Sequence, residues 1–167
     1  MSQVIVDTNV PVVANQHLSP QASAECIIIC VHAIRDIQTN RILVIDDGWH
    51  ILREYMSNLR SSGQPGVGDA FLKWVLTNQA NPHRCERVYI TLRDDRQDDN
   101  DFVEFPNDPE LATFDRSDRK FVAVALTHPQ KPPIFNATDT DWLLHREALT
   151  RYSIQVEFLC PEAMEVR

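Results

Sequence analysis

Apolar residues fall along this chain in two kinds of run. Short continuous stretches, "QVIVD" (3–7), "RILVID" (41–46), "RVYITL" (87–92), "PPIFNAT" (132–138) and "SIQVEFL" (153–159), read as strands. Between them the apolar positions suit helices. "QASAECIIICVHAIRDIQ" (21–38) is too long for a strand and apolar round much of its circumference, and Ser19 followed by Pro20 offers it a start. Trp49, Leu52, Met56 and Leu59 recur at helical spacing, "SSGQPGVG" (61–68) breaks the chain, and a second amphipathic helix covers Ala70 to Leu76. Ser117 can cap a helix running to about Leu126, and "DTDWLLHREAL" (139–149) is another. Continuous apolar strands alternating with helices imply an α/β fold, a three-layer α/β/α sandwich around a mostly parallel sheet of about five strands.

In an open sheet of this kind ligands bind beyond the carboxyl ends of the strands, where the strand order reverses. Asp7 follows the first strand in "VIVDTNV", and Asp139 follows the fourth in "IFNATDTD". Asp118 opens a helix at the same edge, and Glu54 lies within the helix after the second strand, facing inward if Arg53 and Tyr55 flank it outward. Taken singly, Asp118 is a helix-dipole partner and Asp139 with Asp141 a helix cap. Together they need a different account, because carboxylates gathered in one cleft raise each other's pKa values unless a cation cancels the repulsion. Hard oxygen donors with few histidines favour Mg²⁺ or Mn²⁺ over zinc. Asp46 and Asp47 read as a strand-to-helix turn and cap.

Composition adds limits. At 167 residues and 43% hydrophobic content the chain suits one domain over 1–167. Without a long apolar run or a signal-peptide pattern, neither a membrane span nor export is indicated, so a cytoplasmic protein is expected. Cys26, Cys30, Cys85 and Cys160 form no CxxC pair and are expected as reduced core thiols. The net charge is −8, but from Arg93 to Asp118 ten acids face three bases, so the rest of the chain is near neutral and a basic groove elsewhere stays open. Residues 93–110 read as a long acidic loop insert. Arg116, Arg119 and Lys120 surround Asp118 and are candidate nucleic-acid contacts, with solvated surface charge as the plain alternative. His17, His128 and His145 have no convincing ligand spacing, and Trp49, Trp74 and Trp142 read as core.

"VIVDTNV", Glu54 in "HILREYM", "SDRKFVAVAL" and "NATDTDW" resemble, in order and spacing, the four acidic motifs of PIN domain nucleases, over Val4 to Phe158. The resemblance implies metal-dependent hydrolysis of RNA, with Asp7, Glu54, Asp118 and Asp139 as catalytic ligands of Mg²⁺ or Mn²⁺. It also implies Thr8 and Asn9 as shapers of the loop, with Asn9 orienting Asp7 or a water, and Asp115 and Asp141 as accessory acids. A single-strand-acting endoribonuclease of toxin-like or defence type would have RNA, or DNA, as its substrate. It would have a protein regulator such as an antitoxin, and a homodimer is compatible with it. The acidic insert departs from the leaner toxin members. Three rivals stand beside this reading. One is a receiver-like phosphoacceptor domain using Asp46 and Asp47, which leaves the preceding residues unexplained. Another is a haloacid dehalogenase-like phosphatase, in which Asn9 stands where an acid belongs. The third is a catalytically silent PIN-like module that binds a partner.

Overall fold

The computed structural model describes residues 1–15, 22–63 and 65–164. Its elements are β1 (Gln3–Val6), α1 (Asn9–Ala14), α2 (Ala24–Asn40), β2 (Ile42–Asp46), α3 (His50–Asn58), α4 (Val67–Asn78), β3 (Cys85–Val88), α5 (Arg119–Thr127), β4 (Ile134–Asn136), α6 (Thr140–Leu144), α7 (Arg146–Thr150) and β5 (Val156–Phe158). The five strands form one parallel sheet in the order β3-β2-β1-β4-β5. The expected α/β/α sandwich is therefore present. α1, α2 and α4 pack on one another, α5 packs on β1 and β2, and α3 touches both α4 and α5. The order reverses between β1 and β4, which opens the crevice at their carboxyl ends.

Burial explains the continuous apolar runs. Val4, Ile5 and Val6 in β1, Leu43, Val44 and Ile45 in β2 and Ile134 in β4 lie in one core, covered by Cys30, Ile34 and Ile37 of α2 and Phe121, Val122 and Val124 of α5. Gly68 marks the tightest helix contact: a Cβ there would lie 1.9 Å from the Pro11 carbonyl oxygen, so α1 and α4 cross at a distance that only glycine permits.

Several expectations need correction. Strand three begins and ends earlier than "RVYITL": after Val88 the chain leaves the sheet, Tyr89 is 67% exposed, and Leu92 pairs with Phe102 in an isolated antiparallel bridge. Tyr55 points inward, fully buried, and its hydroxyl donates to the Val6 carbonyl at 2.6 Å. Trp49 is a surface residue at 38% exposure, whereas Trp142 is fully buried and Trp74 partly so. The stretch 139–149 is two short helices, α6 and α7, and α1 was not anticipated. Ser23 caps α2 by accepting from the Cys26 N–H; Ser19, Pro20 and His17 lie outside the described residues. Ahead of α5, Asp115 rather than Ser117 supplies the cap, accepting from Ser117 N–H.

The cysteines differ most. Cys26 and Cys160 are joined in a disulfide that ties α2 to the segment after β5, across 134 residues, while Cys30 and Cys85 are free and buried. The expectation of four reduced thiols fails because it rested on local spacing. Pairing is decided instead by where β5 delivers Cys160, whose fixed position lies against the first turn of α2. No described helix is long and apolar enough to cross a membrane.

Candidate metal centre

β1 ends at Val6, and the next residues turn the chain sharply. Asp7 Oδ1 accepts from the Asn9 backbone N–H at 3.1 Å, a local Asx turn that starts α1. Its Oδ2 accepts from the indole N–H of Trp142 at 2.7 Å. Asn9 fastens this turn to the neighbouring strand: its Nδ2 donates to Asn136 Oδ1 at 2.6 Å, and its Oδ1 accepts from Ala137 N–H at 2.8 Å. Asn136, fully buried at the end of β4, also donates to the Asp139 carbonyl at 2.9 Å and accepts from the Asp139 N–H at 3.2 Å. The carboxyl ends of β1 and β4 are thus held in one register by two asparagines, with an aspartate on each side.

Asp139 caps α6, its Oδ1 accepting from Asp141 N–H at 3.0 Å. Asp118 enters from the short 3-10 turn Arg116–Asp118 that leads into α5. One oxygen from each of Asp7, Asp118 and Asp139 lies within 4.8 Å of the others, and the first two residues are buried. The structure therefore brings three of the four expected ligands together. The ordinary cap role of Asp139 and its membership of this cluster hold at once.

Glu54 stands beside the cluster and strengthens its negative field, but its own carboxylate is engaged. Oε1 pairs with Lys120 Nζ at 2.8 Å, and Oε2 accepts from the Thr8 hydroxyl. Lys120, expected as a phosphate contact, is buried and also donates to the Ser117 carbonyl, so it is an interior counter-ion in this conformation. Asp115 and Asp141 form an outer ring: Asp115 N–H donates to Asp141 Oδ2 at 2.8 Å, and His145 Nδ1 is 3.2 Å from Asp141 Oδ1. Arg116 and Arg119 face the acidic loop.

Electrostatics set this edge apart. Burial, chiefly, raises the Asp7 carboxyl to about 7, with the charges of Glu54 and Asp139 adding and the donors of Asn9 and Trp142 opposing. Burial followed by the charges of Asp7, Asp139 and Asp115 raises Asp118 to about 10. Asp118 Oδ2 is buried with no hydrogen-bond partner. A buried polar atom without a partner is costly and rare. Three carboxylate oxygens within 4.8 Å of one another match the hard all-oxygen donor set that Mg²⁺ or Mn²⁺ takes.

Asp46 is placed differently. It is buried, and its two oxygens accept from the N–H groups of His50 (2.9 Å) and Ile51 (2.8 Å), so it is the helix cap the sequence suggested. His128 pairs with Glu86 at 2.6 Å, away from the cluster. Sequence reasoning missed Asn136 and the role of Trp142. The signal for Asn136 was an amide inside an apolar strand in "IFNATDTD"; for Trp142 nothing local distinguished a core indole from one that donates to Asp7.

Comparison with protein-family models, with curated proteins and with solved structures finds no match.

Proposed function

We propose that the chain is a metal-dependent nuclease of PIN-like type, hydrolysing phosphodiester bonds of single-stranded RNA. The observation that carries this reading is the meeting of buried Asp7 and Asp118 with half-buried Asp139 at the topological switch point, with Asp118 Oδ2 left unpartnered. Those three aspartates would hold Mg²⁺ or Mn²⁺, and Glu54 could join them only by giving up Lys120. When bound, such an ion lowers the pKa of a water and offsets charge on the phosphodiester.

The chain's own residues supply the rest. Asn9 N–H and the Trp142 indole fix both oxygens of Asp7, and Asp141 N–H fixes one oxygen of Asp139, so two ligands are oriented before anything binds. Lys120 holds the Glu54 charge in check, which keeps a fourth carboxylate near the cleft without full repulsion. The receiver-like alternative is disfavoured because both Asp46 oxygens are already capping α3. A silent binding module would have no use for three carboxyl groups gathered at one edge, where burial and neighbouring charge push Asp7 and Asp118 up.

A toxin-like or defence role, a protein regulator and a homodimer remain parts of the same proposal. So does a cytoplasmic setting, and it carries a consequence: in a reducing compartment Cys26 and Cys160 would be thiols, which thiol labelling of freshly lysed cells measures. The test of the chemistry is an assay on single-stranded RNA with Mg²⁺, Mn²⁺ or chelator. Cleavage that needs the ion and leaves 5′-phosphate and 3′-hydroxyl ends supports the reading. Cyclic phosphate ends formed in chelator would overturn it.

A further inference from the structure

We propose that Arg116 and Arg119 form a binding site for a backbone phosphate of single-stranded RNA, and that the loop 93–110 covers it with Asp98 and Asp101 as internal stand-ins. The inference rests on the nuclease reading for its substrate class. Arg116 Nε and one terminal nitrogen donate to the two oxygens of Asp98, both at 2.9 Å. This fork-to-fork contact is the geometry in which arginine also takes two phosphate oxygens. One turn along, a terminal nitrogen of Arg119 lies 4.0 Å from Asp101, and its guanidinium sits 4.6 Å over the Phe105 ring.

Arg119 is the observation that points beyond the loop's own contacts. It is only 8% exposed, and its buried Nε has no hydrogen-bond partner. It lines two cavities of about 250 and 260 Å³ that share Phe105, Pro106 and Asn107 in their walls. One terminal nitrogen donates to the Ala112 carbonyl at 3.3 Å, yet a buried guanidinium with an unmatched Nε is better suited to an anion than this carbonyl and the distant Asp101 provide. The Arg116–Asp98 pair is the reverse case, with both side chains about two-fifths exposed, so water and salt compete with it and it opens easily. Arg93–Asp95 and Arg96–Asp99 lie within the loop itself and travel with it, while Asp108 and Glu110 pair with Arg151 and keep the far end of the loop anchored. Because Arg116 and Arg119 bracket Asp118 in the chain, a phosphate seated on them would lie on the approach to the acidic cluster.

The test measures binding of a short fluorescein-labelled oligouridylate by anisotropy, in chelator, at salt from about 50 to about 500 mM. Asp98→Asn should free Arg116 for one more phosphate contact. That steepens the slope of log K against log salt by about 0.7, so the variant binds about fivefold tighter than wild type at the low-salt end and converges with it at the high-salt end. Adding Arg116→Gln to Asp98→Asn should remove most of the gain. Equal binding by wild type and Asp98→Asn at low salt overturns the proposal, as does a gain that survives Arg116→Gln. No metal and no cleavage enter this measurement, so its failure leaves the nuclease reading standing, and failure of the aspartate cluster to bind Mn²⁺ leaves this result readable by itself.

Discussion

Two acid-rich regions of this molecule hold the same side chain in opposite physical states. At the carboxyl ends of β1 and β4, Asp7 and Asp118 are buried beside one another, and burial and mutual charge drive their pKa values up to about 7 and about 10. In the loop 93–110, the aspartates are exposed or half-buried, and five of them, Asp95, Asp98, Asp99, Asp101 and Asp108, face arginines. Asp98 is held down to about 2, chiefly by its hydrogen bonds to Arg116, and Asp95 is lowered by Arg93. The loop is far richer in acids along the chain, yet the edge with three is where carboxyls are pushed up. Local counts of charge say little about chemistry; what matters is whether the fold removes water and withholds a partner.

The largest expected effect breaks the comparison at its buried end. Asp7→Asn and Asp118→Asn should each lower ion-dependent RNA cleavage by a factor on the order of 10³. The melting temperature of Asp118→Asn in chelator should hold or rise, since it removes a repelling, desolvated group, whereas Asp7→Asn also turns an amide N–H towards the Asn9 N–H or the Trp142 indole and should gain less. A variant that melts much lower and cleaves normally would mean that the cluster is structural.

The pH dependence sharpens the same contrast. A carboxyl whose pKa is higher in the folded than in the unfolded chain favours folding at low pH, and that contribution is lost as pH rises from the unfolded value towards the folded one. For Asp7 the window runs from about 4 to about 7, and in chelator the loss should be roughly 2–4 kcal/mol. Asp118 extends the decline towards about 10. Denaturant unfolding at several pH values should show this fall, with Mn²⁺ or Asp118→Asn flattening it. Stability that rises across the window in chelator would contradict the assignment.

Two ion pairs give the smaller effects. Lys120→Met leaves Glu54 beside Asp7 without its cation and should cost about 2–3 kcal/mol at neutral pH in chelator, read by urea unfolding. Asp98→Asn removes one side of an exposed pair and should change stability by no more than about 0.5 kcal/mol. Equal costs for the two would erase the distinction between the regions.

Much of this contrast was legible before the structure. Asp7 and Asp139 stood out because a polar residue directly after a continuous apolar strand marks the sheet edge, and Asp118 because it opens a helix of the same layer. Glu54 was legible as a neighbour of the site but not as the partner of Lys120, since a helix's rotation about its axis is set by packing; Tyr55, not Arg53, turned out to define the buried face. The Cys26–Cys160 bond had no local signature, because the two residues meet only through the complete sheet. "RVYITL" misled because its later apolar residues anchor the acidic loop: Ile90 is buried, Leu92 pairs with Phe102, and Thr91 N–H donates to the Glu104 carboxylate. Apolar character alone does not separate a strand from a buried loop anchor.

The most direct measurement is calorimetric titration of Mn²⁺ into wild-type protein and into Asp118→Asn, near pH 7.5 in two buffers of different ionisation enthalpy. Wild type should bind the ion at the aspartate cluster and release protons as it does so, because Asp118 holds its proton at that pH until a cation replaces it. Asp118→Asn should bind far more weakly and with little proton release. Equal Mn²⁺ affinity in the two proteins, or no binding by wild type, would contradict the assignment of Asp7, Asp118 and Asp139 as a metal centre.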